Sequence, residues 1–282
     1  MPVMSRKFAV LGNPVEHSLS PVIHQQFARQ FGHNIDYSRQ RLEPASFAQY
    51  VRDFFASGGC GLNVTVPFKL LAHECADSLH ATAQQAGAAN TLTLRENVIT
   101  AWNTDGAGLV NDLTGRCDLT LAAKKILILG AGGAAQGIIG PILDCGPMSL
   151  TLANRTQAKA ERLLRRTAPR YPEVDLSAYS LQGLASGDSS FDLIINSTSL
   201  GLDGGEVSVS ADIATGAFCY DLSYGESAAF AQWARRVSAS GVADGLGMLV
   251  EQAALSYEIW FGEKPETAIV HKQLAEQLDL SD

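Results

Sequence analysis

The chain has 282 residues, of which 46% are hydrophobic and 18% are charged, so it can bury a substantial core and is not expected to be disordered. Its formal net charge is −8 and it has no basic block, which argues against nucleic acid or an anionic membrane as a partner. We find no signal peptide, no stretch with the ~18 apolar residues of a membrane span and no C-x-x-C pair among the five cysteines, so we expect a cytoplasmic protein without a metal site.

The first hundred residues alternate between strand and helix signals. Strands are predicted at 7–11, 35–42 and 61–66, and helices at 21–31, 44–55 and from 67 onward. Ser20 is predicted to cap the first helix, with Pro21 in its first turn. A hairpin is predicted across 90–102, with its turn at Glu96 and Asn97. This alternation indicates an α/β domain with a mostly parallel sheet.

The pattern breaks at Asn103-Thr104-Asp105-Gly106, which opens a helix through Leu113. Further strands are predicted at 126–129, 149–153, 176–180, 191–196 and 218–222. No strand follows the two final helices, 246–261 and 266–278, so they do not continue this second alternation of strands and helices. We expect them to pack on the first domain. The chain is therefore predicted to be a two-domain α/β protein, with residues 1–102 and 244–282 in one domain and 103–243 in the other.

The stretch K-I-L-I-L-G-A-G-G-A-A-Q-G (125–137) is typical of a dinucleotide-binding turn. A short apolar run indicates a buried parallel strand, and the glycines allow the backbone to turn sharply and approach a ligand. The helix that follows directs unpaired N–H groups and the positive end of its dipole at one point. Gly130, Gly132 and Ala135 occupy the three fingerprint positions of a Rossmann unit.

The residues after the second strand of this unit indicate the form of the nucleotide. An acidic residue is expected there in proteins that bind the ribose hydroxyls of NAD. This chain has Asn154-Arg155-Thr156 instead, with Lys159 one helical turn later. Because an arginine without an acidic neighbour can pair with a 2′-phosphate, the sequence favours NADP(H).

Polar clusters follow several predicted strands, at the sheet edge where open α/β proteins bind ligands. They are Ser18-x-Ser20, Asn63-x-Thr65-x-x-x-Lys69, Asn90-Thr91, Asn103-Thr104-Asp105, Asn196-Ser197-Thr198-Ser199, and Asp244-Gly245 with Gln252. Each cluster alone is compatible with capping or strand termination. Lys69 is the exception, because it lies in the first turn of a helix, where the dipole disfavours a cation. That placement suggests a functional lysine that can pass a proton, although an exposed lysine without a role remains open.

Taken together, these motifs make the sequence similar to the shikimate dehydrogenase family over nearly its whole length. The motifs are V-L-G-N-P-V-E-H-S-L-S-P (10–21), N-V-T-V-P-F-K (63–69), G-A-A-N-T-L (87–92), N-T-D-G (103–106), G-A-G-G-A-A (130–135), N-R-T (154–156), N-S-T-S-L-G (196–201), Y-D-L-S-Y (220–224) and A-D-G-L-G-M-L-V-E-Q-A (243–253). Departures from the usual family residues occur at Ala101, Gln136, Ser223 and Gly225 and leave Lys69 and Asp105 unchanged.

The resemblance implies the reversible, NADPH-dependent reduction of 3-dehydroshikimate to shikimate, in a cleft between a discontinuous substrate domain and a Rossmann domain. It implies that Lys69 and Asp105 are the catalytic pair. The residues implied to bind the substrate are Ser18, Ser20, Asn63, Thr65, Asn90, Asp105, Tyr224 and Gln252. The residues implied to bind the cofactor are Gly130, Ala131, Gly132, Gly133, Ala134, Ala135, Asn154, Arg155, Thr156, Lys159, Thr198, Gly245 and Met248.

Two other functions remain open at this point. A paralogue acting on quinate or an amino-shikimate-like substrate would share the fold and the catalytic pair, although Ser20, where quinate-using relatives tend to have threonine, favours shikimate. A non-catalytic NADP(H)-sensing regulator would explain the nucleotide domain but not the polar pocket. We expect a small-molecule substrate and a monomer or homodimer.

Overall fold

The computed structural model describes residues 5–186, 190–198 and 209–278. These residues form two compact units, one comprising the chain up to Gly108 together with Leu249–Gln277, and the other comprising Leu109–Met248. Each unit contains a six-stranded sheet.

The helices and strands have the following bounds. The strands are β1 (Arg6–Gly12), β2 (Ile35–Arg41), β3 (Gly59–Val64), β4 (Ser78–Leu79), β5 (Thr91–Arg95), β6 (Val98–Trp102), β7 (Lys125–Leu129), β8 (Ser149–Asn154), β9 (Asp175–Ser180), β10 (Leu193–Asn196), β11 (Phe218–Asp221) and β12 (Gly241–Ala243). The α-helices are α1 (Ser20–Phe31), α2 (Phe47–Ala56), α3 (Lys69–Cys75), α4 (Ala81–Ala86), α5 (Asp105–Thr114), α6 (Gly133–Asp144), α7 (Gln157–Thr167), α8 (Ala229–Ala234), α9 (Leu246–Phe261) and α10 (Thr267–Gln277).

The sheet of the first unit has the order β2-β1-β3-β5-β6-β4. Strand β5 is antiparallel to both of its neighbours, and the other strand pairs are parallel, so the expected mostly parallel sheet is confirmed. The predicted hairpin is also confirmed, since β5 and β6 are joined by Glu96 and Asn97 at φ 50° and 62°. Positive φ at both positions suits a tight turn that matches the twist of the strands.

The last two helices contact the first unit, as their apolar stripe predicted. Trp260 in α9 lies over Phe8 of β1, with ring centroids 4.8 Å apart, and its indole N–H donates to the Leu92 carbonyl at 3.2 Å. A β-carbon at Gly61 would lie 2.3 Å from the Trp260 indole nitrogen, so glycine at this position allows α9 to approach the sheet.

The sheet of the second unit is parallel throughout, in the order β12-β11-β10-β7-β8-β9. Counted from β7, this is the 3-2-1-4-5-6 order of a Rossmann fold. Strands buried on both faces of a sheet are nearly continuously apolar, and Ile126, Leu127, Ile128 and Leu129 are all fully buried. The carboxyl ends of β7 and β10 flank the point where the strand order reverses, which is where such folds bind ligands.

Four short elements and one cap differ from the sequence predictions. Strands β4 and β12 and helices α4 and α8 were not predicted, because two to six residues give little periodicity. Ser20 is not the N-cap of α1. Leu19 has that position, and the Ser18 hydroxyl accepts a hydrogen bond from the Ser20 amide at 3.3 Å.

Burial of His24 in the first unit makes stability depend on pH. The ring is 1% exposed and stacks on Tyr37 at 4.7 Å, and burial lowers the pKa of His24 from 6.5 to about 3. Because the unfolded chain then binds a proton that the native state does not, the free energy of unfolding should fall by about 1.4 kcal/mol per pH unit below the unfolded pKa. The contribution is complete above pH 6.5 and is lost progressively as the pH falls toward 3.

Urea unfolding of wild type and His24→Leu between about pH 7 and about pH 5 measures this dependence. The variant should have the shallower slope. His17→Gln, which changes an exposed histidine of the same unit, should have the wild-type slope. Equal slopes for all three proteins would show that His24 is protonated in the native state.

Candidate active site

Lys69 and Asp105 form an ion pair in the first unit. Lys69 is the first residue of α3 and Asp105 the first of α5, and Lys69 Nζ donates to Asp105 Oδ2 at 2.8 Å. The Lys69 side chain is 31% exposed and that of Asp105 is 14% exposed, so the pair is only partly shielded from water. The prediction that Lys69 lies in the first turn of a helix is confirmed. A carboxylate from a different helix therefore holds the ammonium in a position that the helix dipole disfavours.

Asn90 connects this pair to α9. Its amide nitrogen lies 3.0 Å from Asp105 Oδ1, 2.8 Å from Thr104 Oγ1 and 3.2 Å from Gln252 Oε1, and its amide oxygen accepts from the Thr104 N–H at 2.9 Å. Asn90 is 2% exposed. Because a buried amide must satisfy its polar atoms within the fold, these contacts fix the orientation of Asp105 relative to Gln252.

A second buried amide, Asn63, is the penultimate residue of β3 and lies beside Asn90. Tyr37 donates to Asn63 Oδ1 at 2.7 Å, and Asn63 Nδ2 faces the Asn90 carbonyl at 3.2 Å and Ser256 Oγ at 3.0 Å. The Ser256 and Thr91 hydroxyls are 2.7 Å apart. Burial raises the pKa of Tyr37 well above its ordinary value, and a hydrogen bond from Ser20 partly offsets this. Ser20, Tyr37 and Asn63 are therefore contiguous.

Ser18 and Ser20 form the outer part of this polar surface. Their hydroxyls are 3.1 Å apart, and Ser20 is 6% exposed. The guanidinium of Arg39 donates to the Ser18 carbonyl through Nε at 2.9 Å and Nη2 at 2.7 Å. The loop that carries Ser18 is thus anchored to β2, and a cation lies next to the two hydroxyls.

Thr65 follows β3 and packs against Gly12. A β-carbon at Gly12 would lie 2.6 Å from the Thr65 methyl group, so a larger residue there would displace Thr65. The first unit therefore brings together seven of the eight predicted substrate-binding residues and both predicted catalytic residues. Tyr224, the eighth, belongs to the second unit.

The glycine turn of the second unit lies between β7 and α6. Gly130 has φ +106°, and a β-carbon there would lie 2.6 Å from Ser197 Oγ and 3.0 Å from the Thr198 methyl carbon. Gly130 is therefore required both by its backbone conformation and by the close approach of the loop after β10. Ser197 and Thr198 are held by hydrogen bonds to the Leu129 carbonyl at 2.7 Å and to Asn196 Oδ1 at 2.6 Å.

The start of α6 is suited to a phosphate. Gly132 is the N-cap of α6. As a glycine it has no side chain that could cap the first N–H groups of the helix. β-Carbons built on Gly132 and Gly133 would meet nothing within 4 Å, which leaves open space against exposed backbone. Unpaired N–H groups at the positive end of a helix dipole favour an anion. Ala131 is half-buried and Ala134 is exposed in the same turn, whereas Ala135 is buried against the sheet.

The end of β8 carries positive charge. Arg155, Thr156 and Lys159 are exposed, and Asn154 Nδ2 donates to the Thr156 carbonyl at 2.9 Å. Within residues 5–186, 190–198 and 209–278, neither Arg155 nor Lys159 forms an ion pair. An arginine that no carboxylate neutralises is suited to a phosphate monoester beside the ribose. The residues of this unit therefore fit NADP(H).

The segment that leads into α9 is tightly constrained. A β-carbon at Gly245 would lie 2.2 Å from the Leu222 carbonyl oxygen, and Asp244 Oδ1 accepts from the Leu246 N–H at 3.1 Å. The Met248 N–H donates to the Tyr220 hydroxyl at 3.2 Å. Burial raises the pKa of Tyr224, and the nearby Asp244 carboxylate raises it further, so the phenol remains a neutral donor.

Sequence reasoning did not single out three residues of the polar surface, namely Tyr37, Arg39 and Ser256, and it named Thr91 only within the Asn90-Thr91 cluster. Tyr37 and Arg39 lie two residues apart on β2 and so share the face that Asn63 occupies on β3, across Val10. Ser256 lies one turn after Gln252 on α9. The four-residue spacing from Gln252 puts Ser256 on the same face of α9, but which faces of α9 and β2 pack against Asn63 is decided by tertiary packing.

In the described parts of the chain, no helix is long and apolar enough to cross a membrane. Among the same residues, no group of three or more His, Cys, Asp or Glu side chains could hold a metal ion.

Three family models match the sequence in succession. Residues 10–92 match the shikimate dehydrogenase substrate binding domain, residues 113–201 match shikimate / quinate 5-dehydrogenase, and residues 245–275 match the shikimate 5′-dehydrogenase C-terminal domain. The matches to residues 10–92 and 245–275 contain the polar surface described above apart from Thr104 and Asp105, which lie between the matched ranges. The match to residues 113–201 contains the glycine turn and Arg155.

Whole-chain comparisons agree with these matches. The chain is 44% identical to the shikimate dehydrogenase (NADP(+)) of Methylobacillus flagellatus, over 94% of this chain and 97% of the relative. An Ael1 enzyme from Pseudomonas putida superposes with a TM-score of 0.88 at 38% identity, covering 96% of this chain and 98% of that one. A shikimate dehydrogenase solved in complex with NADP+ gives a TM-score of 0.84 at 28% identity, covering 97% and 96%.

Proposed function

Because the chain belongs to the shikimate dehydrogenase family, we propose that it reduces 3-dehydroshikimate to shikimate with NADPH, and that Lys69 and Asp105 carry out the proton transfer. The observation that carries this proposal is the 2.8 Å pair of Lys69 and Asp105 within a buried network of amides and hydroxyls. An ordinary surface ion pair would not be joined to Asn90 and Gln252.

Reduction of a ketone requires a proton on the carbonyl oxygen as well as a hydride on the carbon. Bound NADPH supplies the hydride. Lys69 donates the proton or stabilises the developing alkoxide, and Asp105 keeps the ammonium oriented and balances its charge. In the reverse direction the Lys69 amine takes up the proton of the substrate hydroxyl.

The substrate has several hydroxyls and one carboxylate, which matches the polar surface of the first unit. We assign the carboxylate to Ser18 and Ser20, and we retain Tyr224 as a substrate-binding residue because the resemblance implies it. Asn63, Thr65, Asn90, Asp105 and Gln252 bind the hydroxyls. An analogue that lacks a hydroxyl would leave one of these buried groups without a partner, and such a site discriminates strongly against it.

We assign the cofactor to the second unit. The turn from Gly130 to Ala135 holds the phosphates at the start of α6. Asn154, Arg155, Thr156 and Lys159 bind the 2′-phosphate. Thr198, Gly245 and Met248 contact the nicotinamide end.

Arg155→Ala should raise KM for NADP about 10- to 100-fold, the effect of losing a hydrogen bond to a charged group. KM for NAD should change little, because NAD lacks the 2′-phosphate. Steady-state kinetics with both cofactors at saturating shikimate measure the two values.

Arg166→Ala is the matched control, since Arg166 is exposed at the other end of α7. It should leave both KM values unchanged. An equal rise in KM for NADP and NAD in Arg155→Ala would contradict the assignment of Arg155 to the 2′-phosphate.

A comparison of kcat/KM for shikimate and quinate, each with NADP and with NAD, tests the substrate. We expect shikimate with NADP to be strongly preferred. A clear preference for quinate with NAD would instead identify a paralogue that uses the same catalytic pair. Absence of turnover with every combination, despite NADP binding, would support the regulator.

We also propose a discontinuous substrate domain and an NADP domain, which the two compact units support. The bounds predicted from the sequence, 1–102 with 244–282 and 103–243, differ by a few residues from those of the units, which place Asp105 in the first unit and Gly245 and Met248 in the second. A cytoplasmic location is supported by the free thiols of Cys60, Cys75, Cys145 and Cys219. We propose a monomer or a homodimer, which sedimentation equilibrium distinguishes.

A further inference from the structure

A carboxylate that the proposed reaction does not use is buried in the second unit. Asp112 of α5 is 2% exposed and receives two parallel hydrogen bonds from Arg116, from Nε at 2.8 Å and from Nη2 at 2.9 Å. Tyr220 of β11 donates a third, to Asp112 Oδ2 at 2.7 Å. Burial disfavours the charge of Arg116, yet the bonds to Asp112 raise its pKa above the ordinary value. Asp112 thus accepts three hydrogen bonds within the core.

Tyr220 connects the Asp112 carboxylate to α9 through two hydrogen bonds. Its hydroxyl gives its single proton to Asp112 and accepts from the Met248 N–H at 3.2 Å. Met248 is the third residue of α9, where a helix N–H has no partner within the helix. Tyr220 therefore caps this helix from within the core, in addition to the cap that Asp244 gives to Leu246.

Gly247, which precedes Met248 in the first turn of α9, lies against the Asp112 carboxylate. A β-carbon on Gly247 would lie 2.0 Å from Asp112 Oδ1 and 2.3 Å from Oδ2. The first turn of α9 therefore rests directly on the Asp112 carboxylate. Asp112 and Tyr220 together determine where the backbone of Gly247 and Met248 lies.

We propose that Tyr220, held by Asp112 and Arg116, is a positioning residue for the nicotinamide half of the cofactor. The inference rests on the proposed function, in which Met248 contacts the nicotinamide. Tyr220 does not itself touch the cofactor in this scheme and acts through the Met248 backbone. Phenylalanine would fill the same apolar core position, so the hydroxyl is explained by its two hydrogen bonds and not by packing.

The test compares two ligands that differ only in the nicotinamide. Calorimetric Kd values are measured for NADP+ and for 2′-phospho-ADP-ribose with wild-type and Tyr220→Phe full-length protein. We expect Tyr220→Phe to bind NADP+ about 3- to 10-fold more weakly, the effect of one neutral hydrogen bond. Affinity for 2′-phospho-ADP-ribose should stay within about 2-fold of wild type, since Met248 is not assigned to that half.

The matched control is Tyr171→Phe, which removes another tyrosine hydroxyl that donates to a carboxylate of the same unit, Asp144, at 2.7 Å. It should leave both affinities unchanged. Equal weakening of both ligands by Tyr220→Phe would show a general structural role, and no weakening of either would show that the hydroxyl is dispensable; either result overturns the proposal. The ratio of the two Kd values does not depend on the fraction of folded protein, so a less stable variant still gives an answer.

Gly247→Ala tests the same contact without altering Tyr220, and its ratio of Kd values should shift in the same direction. Met248→Ala tests the premise of this proposal, which is that Met248 contacts the nicotinamide. If Met248→Ala leaves the ratio unchanged, the assignment of Met248 to the nicotinamide fails. If it changes the ratio and Tyr220→Phe does not, only the positioning role fails.

Discussion

Replacing Lys69 with alanine should lower kcat for shikimate oxidation by at least ~10², the contribution typical of a general acid–base group. In the proposed mechanism the Lys69 amine exchanges a proton with the reacting oxygen, and Asp105 orients that amine. KM for shikimate should change much less than kcat, because the hydroxyls and the carboxylate retain their other partners. Steady-state kinetics in both directions measure the two parameters.

The effect on stability should be small. The Lys69 side chain is 31% exposed, and a partly exposed ion pair contributes at most about 1 kcal/mol to folding. The helix dipole at the start of α3 opposes even that contribution. Thermal unfolding of Lys69→Ala should therefore resemble that of wild type. Lys272→Ala, an exposed lysine of α10 in the same unit, controls for loss of a surface charge and should retain full kcat. Unchanged shikimate oxidation by folded Lys69→Ala would rule out the assigned mechanism.

Local sequence signals predicted most of the fold. The turn at Glu96 and Asn97 was recognisable because few residue pairs tolerate positive φ at both positions. The strands of the second sheet were recognisable as apolar runs because both of their faces are buried. Ser20 shows the limit of such signals. Leu19 already has helical dihedrals, φ −83° and ψ −7°, so the helix begins one residue before the pattern indicated.

The proposed catalytic pair, Lys69 and Asp105, illustrates what local patterns do not contain. Lys69 was singled out by a local conflict with the helix dipole, but Asp105 lies 36 residues away in another helix. Its partnership with Lys69 depends on the order of the strands, and only the family resemblance supplied it. Ser256 and Tyr37 were missed for a related reason. Their roles depend on which face of α9 and of β2 packs against Asn63, and this is decided by tertiary packing.

The Tyr220 hydroxyl would also have escaped sequence analysis. A tyrosine in a buried strand is usually explained by its β propensity and size. Its role became visible only because Asp112 and Met248, which are 136 residues apart (248 − 112), meet at one oxygen atom.

Asp105→Asn should also lower kcat by at least ~10², although it preserves the shape of the side chain. The carboxylate accepts from Lys69 at Oδ2 and from Asn90 at Oδ1, at 2.8 and 3.0 Å. An amide has one acceptor and one donor, so in either orientation its NH₂ group faces another donor. Lys69 therefore loses its counter-charge in both orientations, and either Lys69 or Asn90 also loses its acceptor. Asp36→Asn, an exposed position on β2, should have no effect.

The double variant Lys69→Ala/Asp105→Asn shows whether the two residues act as one unit. Groups that catalyse a single step together have strongly non-additive effects. The double variant should therefore be about as slow as the slower single variant, with a total loss nearer ~10² than ~10⁴ in kcat. A loss equal to the product of the two single losses would show that Asp105 acts on the substrate independently of Lys69. The 2.8 Å ion pair would then be a contact of the free enzyme that the reaction does not use.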